Sequence, residues 1–384
     1  MQLEGKSVVV TGGAGLIGSF LAERLVAAGA CVAVADDFSK GRRENLSGVS
    51  EKIEIREGDL EQLSAMERAL DGAEIVFHLA SRAYGIGYSA GNHVAILEHN
   101  ERITGNLIHV LARRPVQHLL VTSSSCVYPD DGPDVLPELP LFTGEPEMAN
   151  WGYGWAKRML EQKALILARE TKMPLTIVRP FNIYGERYAW VGEASQAIPM
   201  QVKKVMDGEN PIVIWGSGTQ RRNYLHAFDC ADAMAGLAEA GFTGTVNIGM
   251  EDTVTLFELV STICKVAGRD PKLVTDTTRP EGRRIKSLLA DAGVKESAAE
   301  SPSVLGAIIG SQALDMVFGG GLITTIIGTV IGAKMGRGVG RTVMTLMNGL
   351  AASGAVDKFA RGAMRAMPPI ARATERSEEH TSEL

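Results

Sequence analysis

The sequence predicts an α/β fold, a doubly wound parallel sheet with a smaller C-terminal region, on three observations. Short apolar or β-branched runs alternate with helix-spaced segments from Lys6 to about Val178, the rhythm of successive βαβ units. The first run leads into a glycine-rich string, TGGAGLIGS, at Thr11–Ser19. The second run ends on an acidic residue, Asp36.

The elements follow in chain order. Lys6-Ser7-Val8-Val9-Val10 is the first strand, and apolar residues then recur at helical spacing from Leu16 to Ala28. Between them Gly12, Gly15 and Gly18 fall at every third position. Glycines there permit a tight turn and close approach of a pyrophosphate, with the helix N-terminus at Leu16 and Ile17 facing the negative charge. Such a string also serves ordinary turns, so its context matters. Cys31–Ala35 forms the second strand, and Asp36 stands eighteen residues past Gly18, where a carboxylate accepts the adenosine ribose hydroxyls of a dinucleotide. That carboxylate repels a 2′-phosphate and favours NAD, while Arg42 and Arg43 leave NADP open. Asp59 and Leu60 end the third strand, and Leu79 and Ala80 the fourth, on the adenine and nicotinamide sides.

Leu119–Thr122 is a further buried strand, and SSSCVYP (Ser123–Pro129) begins at its C-terminal end, where sheets of this kind bind ligands. Trp155–Lys172 reads as a helix, with Tyr153 and Lys157 one turn apart on a single face. A Tyr–Lys pair alone is common on ordinary helices. Its position after a dinucleotide-binding half and a serine-rich strand end marks it for chemistry.

Composition agrees. The 384 residues suffice for one large domain or two, and a formal charge of −6 gives no reason to invoke nucleic acid or an anionic membrane. Four cysteines (Cys31, Cys126, Cys230, Cys264) show neither framework spacing nor a CxxC metal signature. They suit a reducing compartment. With no basic and apolar leader before the first strand, a cytoplasmic protein without a metal is expected.

These strings resemble the extended short-chain dehydrogenase/reductase family, in its nucleotide-sugar epimerase/dehydratase branch, from Ser7 to about Lys286. RPFNIYG (Arg179–Gly185), GSGTQRRNYLHAFDCADA (Gly216–Ala233), VNIG (Val246–Gly249) and RPEGRR (Arg279–Arg284) extend the match. Within the branch, the cysteine of SSSCVYP and the loop YGIGYSAGNH (Tyr84–His93) are similar to two groups, the GDP-mannose 3,5-epimerases and the GDP-fucose synthases. The dehydratases carry an Asp-Glu pair where this chain has Ser125 and Cys126, which disfavours dehydration.

The resemblance implies a Rossmann domain at 1–180 with a return segment at about 226–250, and an interleaved nucleotide-sugar-binding region at 181–286. It implies NAD as cofactor, a nucleotide diphosphate sugar (a GDP-sugar favoured) as substrate, and a homodimer paired through helices at about 100–113 and 155–170. Tyr153 is then the base that takes a sugar hydroxyl proton as hydride leaves, with the Lys157 ammonium and the nicotinamide cation both drawing its pKa toward neutrality; Lys157 holds the nicotinamide ribose, and Tyr153 too lies against the cofactor. Ser124 hydrogen-bonds the reacting oxygen, and Ser123 and Ser125 bond the strand end. Asn100 matches a structural asparagine or is a helix cap. A free buried cysteine is by residue type a small hydrophobe. Matched to the epimerases, Cys126 is a thiolate that removes a proton beside a C4 ketone. Gly85, Gly87, Asn182, Arg222 and Arg284 fall on the substrate side, with Arg221 and Arg283 as solvated neighbours. Tyr184, Trp190 and Trp215 stack a base or pack the core. Gln196 stands where the two groups carry a Lys or His acid, and an amide cannot donate a proton at neutral pH. Three readings stay open: a C3/C5 epimerase; a 4-epimerase, reductase or dehydratase of the same fold; and a non-catalytic binding protein.

The tail departs from that pattern. Residues 287–375 replace the expected aspartate-bearing and amphipathic helices, and Met316–Ala333 is an uncharged stretch of eighteen residues rich in Gly, Ile and Thr. That length reaches the lower limit for a membrane span. RSEEHTSEL (Arg376–Leu384) is what a common sequencing-adapter oligonucleotide encodes when translated, and 376–384 is set aside on that ground. The segment before it is a chimeric join or natural divergence.

Overall fold

The computed structural model describes residues 2–133, 135–188, 195–250, 252–279 and 285–288. Arg283, Arg284, Trp190 and the chain from 289 onward, including Met316–Ala333 and 376–384, lie outside the described residues. Among the described residues no helix is long and apolar enough to cross a membrane.

Seven parallel strands form the central sheet: β1 (Ser7–Thr11), β2 (Cys31–Asp36), β3 (Ile53–Glu57), β4 (Ile75–His78), β5 (His118–Thr122), β6 (Leu175–Pro180) and β7 (Gly244–Ile248). Their spatial order is β3-β2-β1-β4-β5-β6-β7, so the winding reverses between β1 and β4 and opens a crevice at their carboxyl ends. The helices are α1 (Leu16–Ala27), α2 (Leu63–Ala69), α3 (Ile86–Ser89), α4 (His93–Arg113), α5 (Trp151–Thr171), α6 (Ala197–Asp207), α7 (Ala227–Glu239) and α8 (Leu256–Val266).

Strand alternation builds two cores from one sheet. Val8, Val10, Val32 and Val34 pack with Leu21 and Leu25 of α1 and Met234 and Leu237 of α7. Val9, Ala33, Val76 and Val121 face the other way, onto Met66 of α2, Leu107 of α4 and Leu160 of α5. Both faces are covered, which explains why the strands read as continuous apolar runs.

Beyond β6 the chain builds smaller sheets. Asn182–Tyr184 pairs with Tyr224–His226, Ile212–Trp215 with Leu273–Asp276, and Arg221–Arg222 lies between Val254–Thr255 and Ile285–Leu288. Helices α6 and α8 pack together over Tyr224, Ile198 and Leu259.

One helix boundary differs from its sequence expectation. Helix α5 begins at Trp151, four residues before Trp155, and ends at Thr171 with Lys172 as its left-handed cap. Gly152 and Gly154 sit in its first turn, where nothing larger fits. A Cβ at Gly152 would lie 2.1 Å from the His93 carbonyl oxygen, and one at Gly154 would lie 2.7 Å from that of Cys126.

Candidate active site

The glycine string follows β1 and opens α1 at the crevice. Gly12 adopts φ +68°, donates its N–H to the Ala35 carbonyl at 2.7 Å, and lies so close to Ala80 that an added Cβ would meet the Ala80 nitrogen at 2.8 Å. A Cβ at Gly18 would meet the Gly12 oxygen at 2.3 Å. Gly15 caps α1 without any side-chain hydrogen bond. The amides of Leu16, Ile17 and Gly18 therefore have no side-chain cap, as an anion site at a helix N-terminus requires.

Asp36 ends β2 beside this string. Its carboxylate accepts from the Ala14 and Phe38 amides, both at 2.9 Å. Burial lifts the carboxyl above its ordinary pKa, against the pull of those two N–H groups. Next to it, Arg82 pairs with Asp37 at 2.8 Å and approaches Glu61 at 3.6 Å. Leu79 and Ala80 continue from β4, their amides bonded to the Thr11 carbonyl (3.1 Å) and hydroxyl (3.3 Å). The Thr11 hydroxyl also meets His78 Nδ1 at 2.9 Å, and burial pushes the His78 pKa down to about 3. Asp59 accepts from the Glu61 amide at 3.0 Å, and Leu60 is buried.

The candidate chemical groups meet at the carboxyl end of β5. Ser124 begins a one-turn 3₁₀ helix, Ser125–Val127, and its hydroxyl accepts from the Cys126 amide at 3.1 Å. Tyr153, from α5, hydrogen-bonds through its phenol to both Ser81 and Ser124, and Cys126 interacts electrostatically with Tyr153 and Lys157. Lys157 is buried, and its Nζ donates to the Thr122 carbonyl at 2.7 Å. Burial pushes its pKa down to about 7, while Glu161 and Cys126 pull it up. The four predicted residues Ser124, Cys126, Tyr153 and Lys157 thus form one cluster.

One expectation is corrected. Lys157 by itself does not draw Tyr153 toward neutrality. Burial, followed by Cys126, raises its pKa, and only the hydroxyls of Ser81 and Ser124 act the other way. The reason is geometric: the lysine nitrogen is committed to Thr122 and sits 5.5 Å from the tyrosine ring centroid.

Ser81 was missed by sequence reasoning. Its hydroxyl donates to Asn100 Oδ1 at 2.8 Å as well as meeting Tyr153. Asn100 also accepts from the Arg82 amide (3.0 Å) and donates to the carbonyls of Arg82 (3.1 Å) and Ile96 (2.7 Å). Three of its four hydrogen bonds tie the loop after β4 to α4, and the fourth stays within the helix. The available signal was a hydroxyl just past a strand end, at the same end of the sheet as Ser124.

On the opposite wall, Gly85 lies against Ser195 and Gln196. An added Cβ there would come within 2.1 Å of the Ser195 carbonyl oxygen and 3.3 Å of Gln196 Cα. A Cβ at Gly87 would touch the Trp215 ring at 3.0 Å. The Tyr84–His93 segment, which contains α3, therefore seats Gln196 and Trp215 together. Gln196 Oε1 lies 3.1 Å from the Tyr188 hydroxyl. Asn182 donates to the Asn223 carbonyl at 2.9 Å. Arg221 is pinned to Thr253 at 2.8 and 2.7 Å, whereas its neighbour Arg222 donates to the Arg221 carbonyl at 2.8 Å. Among the described residues no group of three His, Cys, Asp or Glu side chains is arranged to hold a metal.

Beneath the cluster runs a buried polar network. Arg179 forms a two-pronged pair with Glu161 at 2.8 and 2.7 Å and donates to the Tyr128 hydroxyl at 3.0 Å. Tyr128 in turn donates to Asn247 at 2.6 Å, and Ser123 donates to Glu161.

Comparison with known proteins places this geometry. Residues 8–249 match the NAD dependent epimerase/dehydratase family. The chain is 29% identical over 270 residues to a UDP-N-acetyl-alpha-D-glucosaminuronate decarboxylase of Bacillus cytotoxicus, covering 70% of this chain and 83% of that protein. It is 27% identical over 270 residues to GDP-mannose 3,5-epimerase 1 of Oryza sativa subsp. japonica, covering 68% and 69%. The fold superposes with a TM-score of 0.67 on the UDP-glucose 4-epimerase of Thermotoga maritima solved with UDP-glucose, at 26% identity, covering 79% of this chain and 97% of that one.

Proposed function

Because the chain belongs to the NAD dependent epimerase/dehydratase family, we propose that it is an NAD-dependent nucleotide-sugar epimerase that works on C3 or C5 through a transient C4 ketone. The observation that carries this reading is the cluster at the end of β5, where Ser124 accepts from the Cys126 amide, Lys157 donates to Thr122, and the thiol lies near enough to the phenol and the amine to interact electrostatically with both. A pure hydride-transfer site has no use for that thiol.

NAD fits the groove. Gly12 and Gly18 leave no room for a Cβ, the α1 amides have no side-chain cap, and Asp36 offers a carboxylate for the ribose. The bound nicotinamide would accept and return the hydride. Asp59, Leu60, Leu79 and Ala80 would line its two ends, and Lys157 would hold its ribose. Tyr153 takes the C4 hydroxyl proton, and Ser124 steadies the oxygen as it becomes a carbonyl. Ser81 donates to the phenolate when its hydroxyl turns from Asn100. The ketone acidifies the neighbouring C–H bonds, the Cys126 thiolate removes one such proton, and water, in place of the Gln196 amide, returns a proton to the opposite face of the enolate. Asn182 and Arg222, with Arg284, would meet the diphosphate, since a guanidinium fork matches phosphate oxygens. Gly85 and Gly87 would bring the sugar against Gln196. Incubation with GDP-, UDP-, dTDP- and CDP-sugars and catalytic NAD⁺ tests the reading: one of them yields an epimer without net NADH. Turnover that consumes stoichiometric NAD(H) would make the protein an oxidoreductase instead.

A second reading, a 4-epimerase with Cys126 idle, is favoured by Gln196. Its amide, beside the Tyr188 hydroxyl, stands where an acid is needed to reprotonate the opposite face of an enolate.

Asp36→Ala is expected to weaken NAD binding by about 1.5–3 kcal/mol, the worth of a hydrogen bond to a charged group, and to narrow the preference over NADP. Isothermal titration with both cofactors measures this. An unchanged preference would remove Asp36 from the ribose site.

We assign the protein a C2 dimer built on α4 and α5, whose outer faces carry Val94 (72% exposed), Ile166 (47%) and Trp151 (40%). Light scattering at micromolar concentration should report twice the chain mass. A folded monomer would contradict the assignment.

A further inference from the structure

Arg158 follows Lys157 on α5 and is buried to 1% exposure, the largest of the fully buried side chains among the described residues. All four of its hydrogen bonds go to main-chain carbonyls. Nε and Nη2 both donate to Val127, at 2.9 and 2.7 Å. Nη1 donates to Gly144 at 2.6 Å, and Nη2 reaches Thr143 at 3.4 Å. One face stacks over the Trp155 ring, 5.1 Å from its centroid. A guanidinium placed this deep is costly without a carboxylate bonded to it, and burial lowers its pKa. The energetic investment lies in fixing those carbonyls.

The carbonyls belong to the turn that carries the thiol. Val127 closes the 3₁₀ helix Ser125–Val127 one residue after Cys126. The Cys126 carbonyl itself accepts from the Glu147 amide at 3.3 Å and lies against Gly154 of α5. Two successive carbonyls, those of Cys126 and Val127, are thus held by the segment 144–158. The same segment supplies Tyr153 and Lys157.

We propose that Arg158 is a positioning residue, locking the turn that bears Ser124 and Cys126 onto the helix that bears Tyr153 and Lys157. Its catalytic consequence rests on Cys126 acting as base. The geometry it enforces does not. A planar fork spans the Val127 and Gly144 oxygens at once, whereas a lysine ammonium reaches one of them. Arg158→Lys should therefore retain part of the effect and Arg158→Met none.

The test uses the full chain in a Cys31→Ser background, because Cys31 is exposed and would react first. Iodoacetamide labelling of Cys126, followed by peptide mass spectrometry, should accelerate about threefold or more in Arg158→Met and less in Arg158→Lys, as expected when a local opening becomes easier. NAD affinity and KM for the nucleotide sugar should stay within about twofold while kcat falls. If Arg158→Met does not fold, Arg158→Lys alone decides. Labelling at the parent rate in the folded variants, or a slower rate, overturns the proposal. Failure of the cysteine-base reading is seen separately, as undiminished solvent deuterium uptake in Cys126→Ser, and leaves the labelling result intact.

Discussion

Tyr153→Phe is expected to lower kcat by about 10²–10⁴-fold, the usual worth of positioned proton transfer, while NAD binds with nearly its parent affinity. The phenol is where the two hydroxyls of Ser81 and Ser124 converge, and removing its oxygen leaves no base for the sugar proton. Cofactor affinity is carried elsewhere, by the Gly12–Gly18 turn and Asp36, which Tyr153 does not touch. Because burial raises the Tyr153 pKa and Lys157 is turned to Thr122, the phenol is held protonated until positive charge arrives beside it. Stopped-flow NADH formation and fluorescence titration separate the two effects. Near-parent turnover would mean that another group takes the proton.

Glu161→Gln should be the most destabilising single change at the site, by about 3–5 kcal/mol, the cost of breaking a buried ion pair from one side. Arg179 and Glu161 are 4% and 1% exposed, so an uncompensated guanidinium cannot reach water. Burial opposes the Arg179 charge, and the Glu161 carboxylate is what outweighs that opposition. The loss also reaches the chemistry, since Ser123 donates to Glu161 and the same carboxylate supports the Lys157 charge. Urea denaturation at neutral pH measures the effect. Replacing both partners by leucine should restore much of the stability, because well-packed apolar residues substitute for a buried pair at little cost. An unchanged urea midpoint in Glu161→Gln would show that the pair is not uncompensated when broken.

Local features explain what was legible in the sequence. The glycine string, the strand endings at Asp36 and Thr122, and the Tyr153–Lys157 spacing are set by backbone requirements or one-turn geometry, and the structure brings them to one crevice. The features that escaped depend on distant contacts. The start of α5 at Trp151 is one of them, because Gly152 and Gly154 are required by the His93 and Cys126 carbonyls pressed against them. Ser81 acquires meaning only when α5 places Tyr153 over the end of β4. Lys157, expected to act on Tyr153 and lying over its ring, also donates to β5, 35 residues away in sequence. The seating of Gly85 on Ser195 joins residues about a hundred positions apart, and no spacing rule anticipates it.

Deuterium uptake tests the central claim most directly. The protein, its nucleotide sugar and catalytic NAD⁺ are incubated in D₂O, and the sugar carbons are read by NMR. A thiolate that forms an enolate beside the C4 ketone exchanges the C3 or C5 hydrogen with solvent, so deuterium accumulates there and the signal disappears in Cys126→Ser. A pure C4 epimerisation returns the original hydride, and an active preparation that incorporates no deuterium would contradict the account.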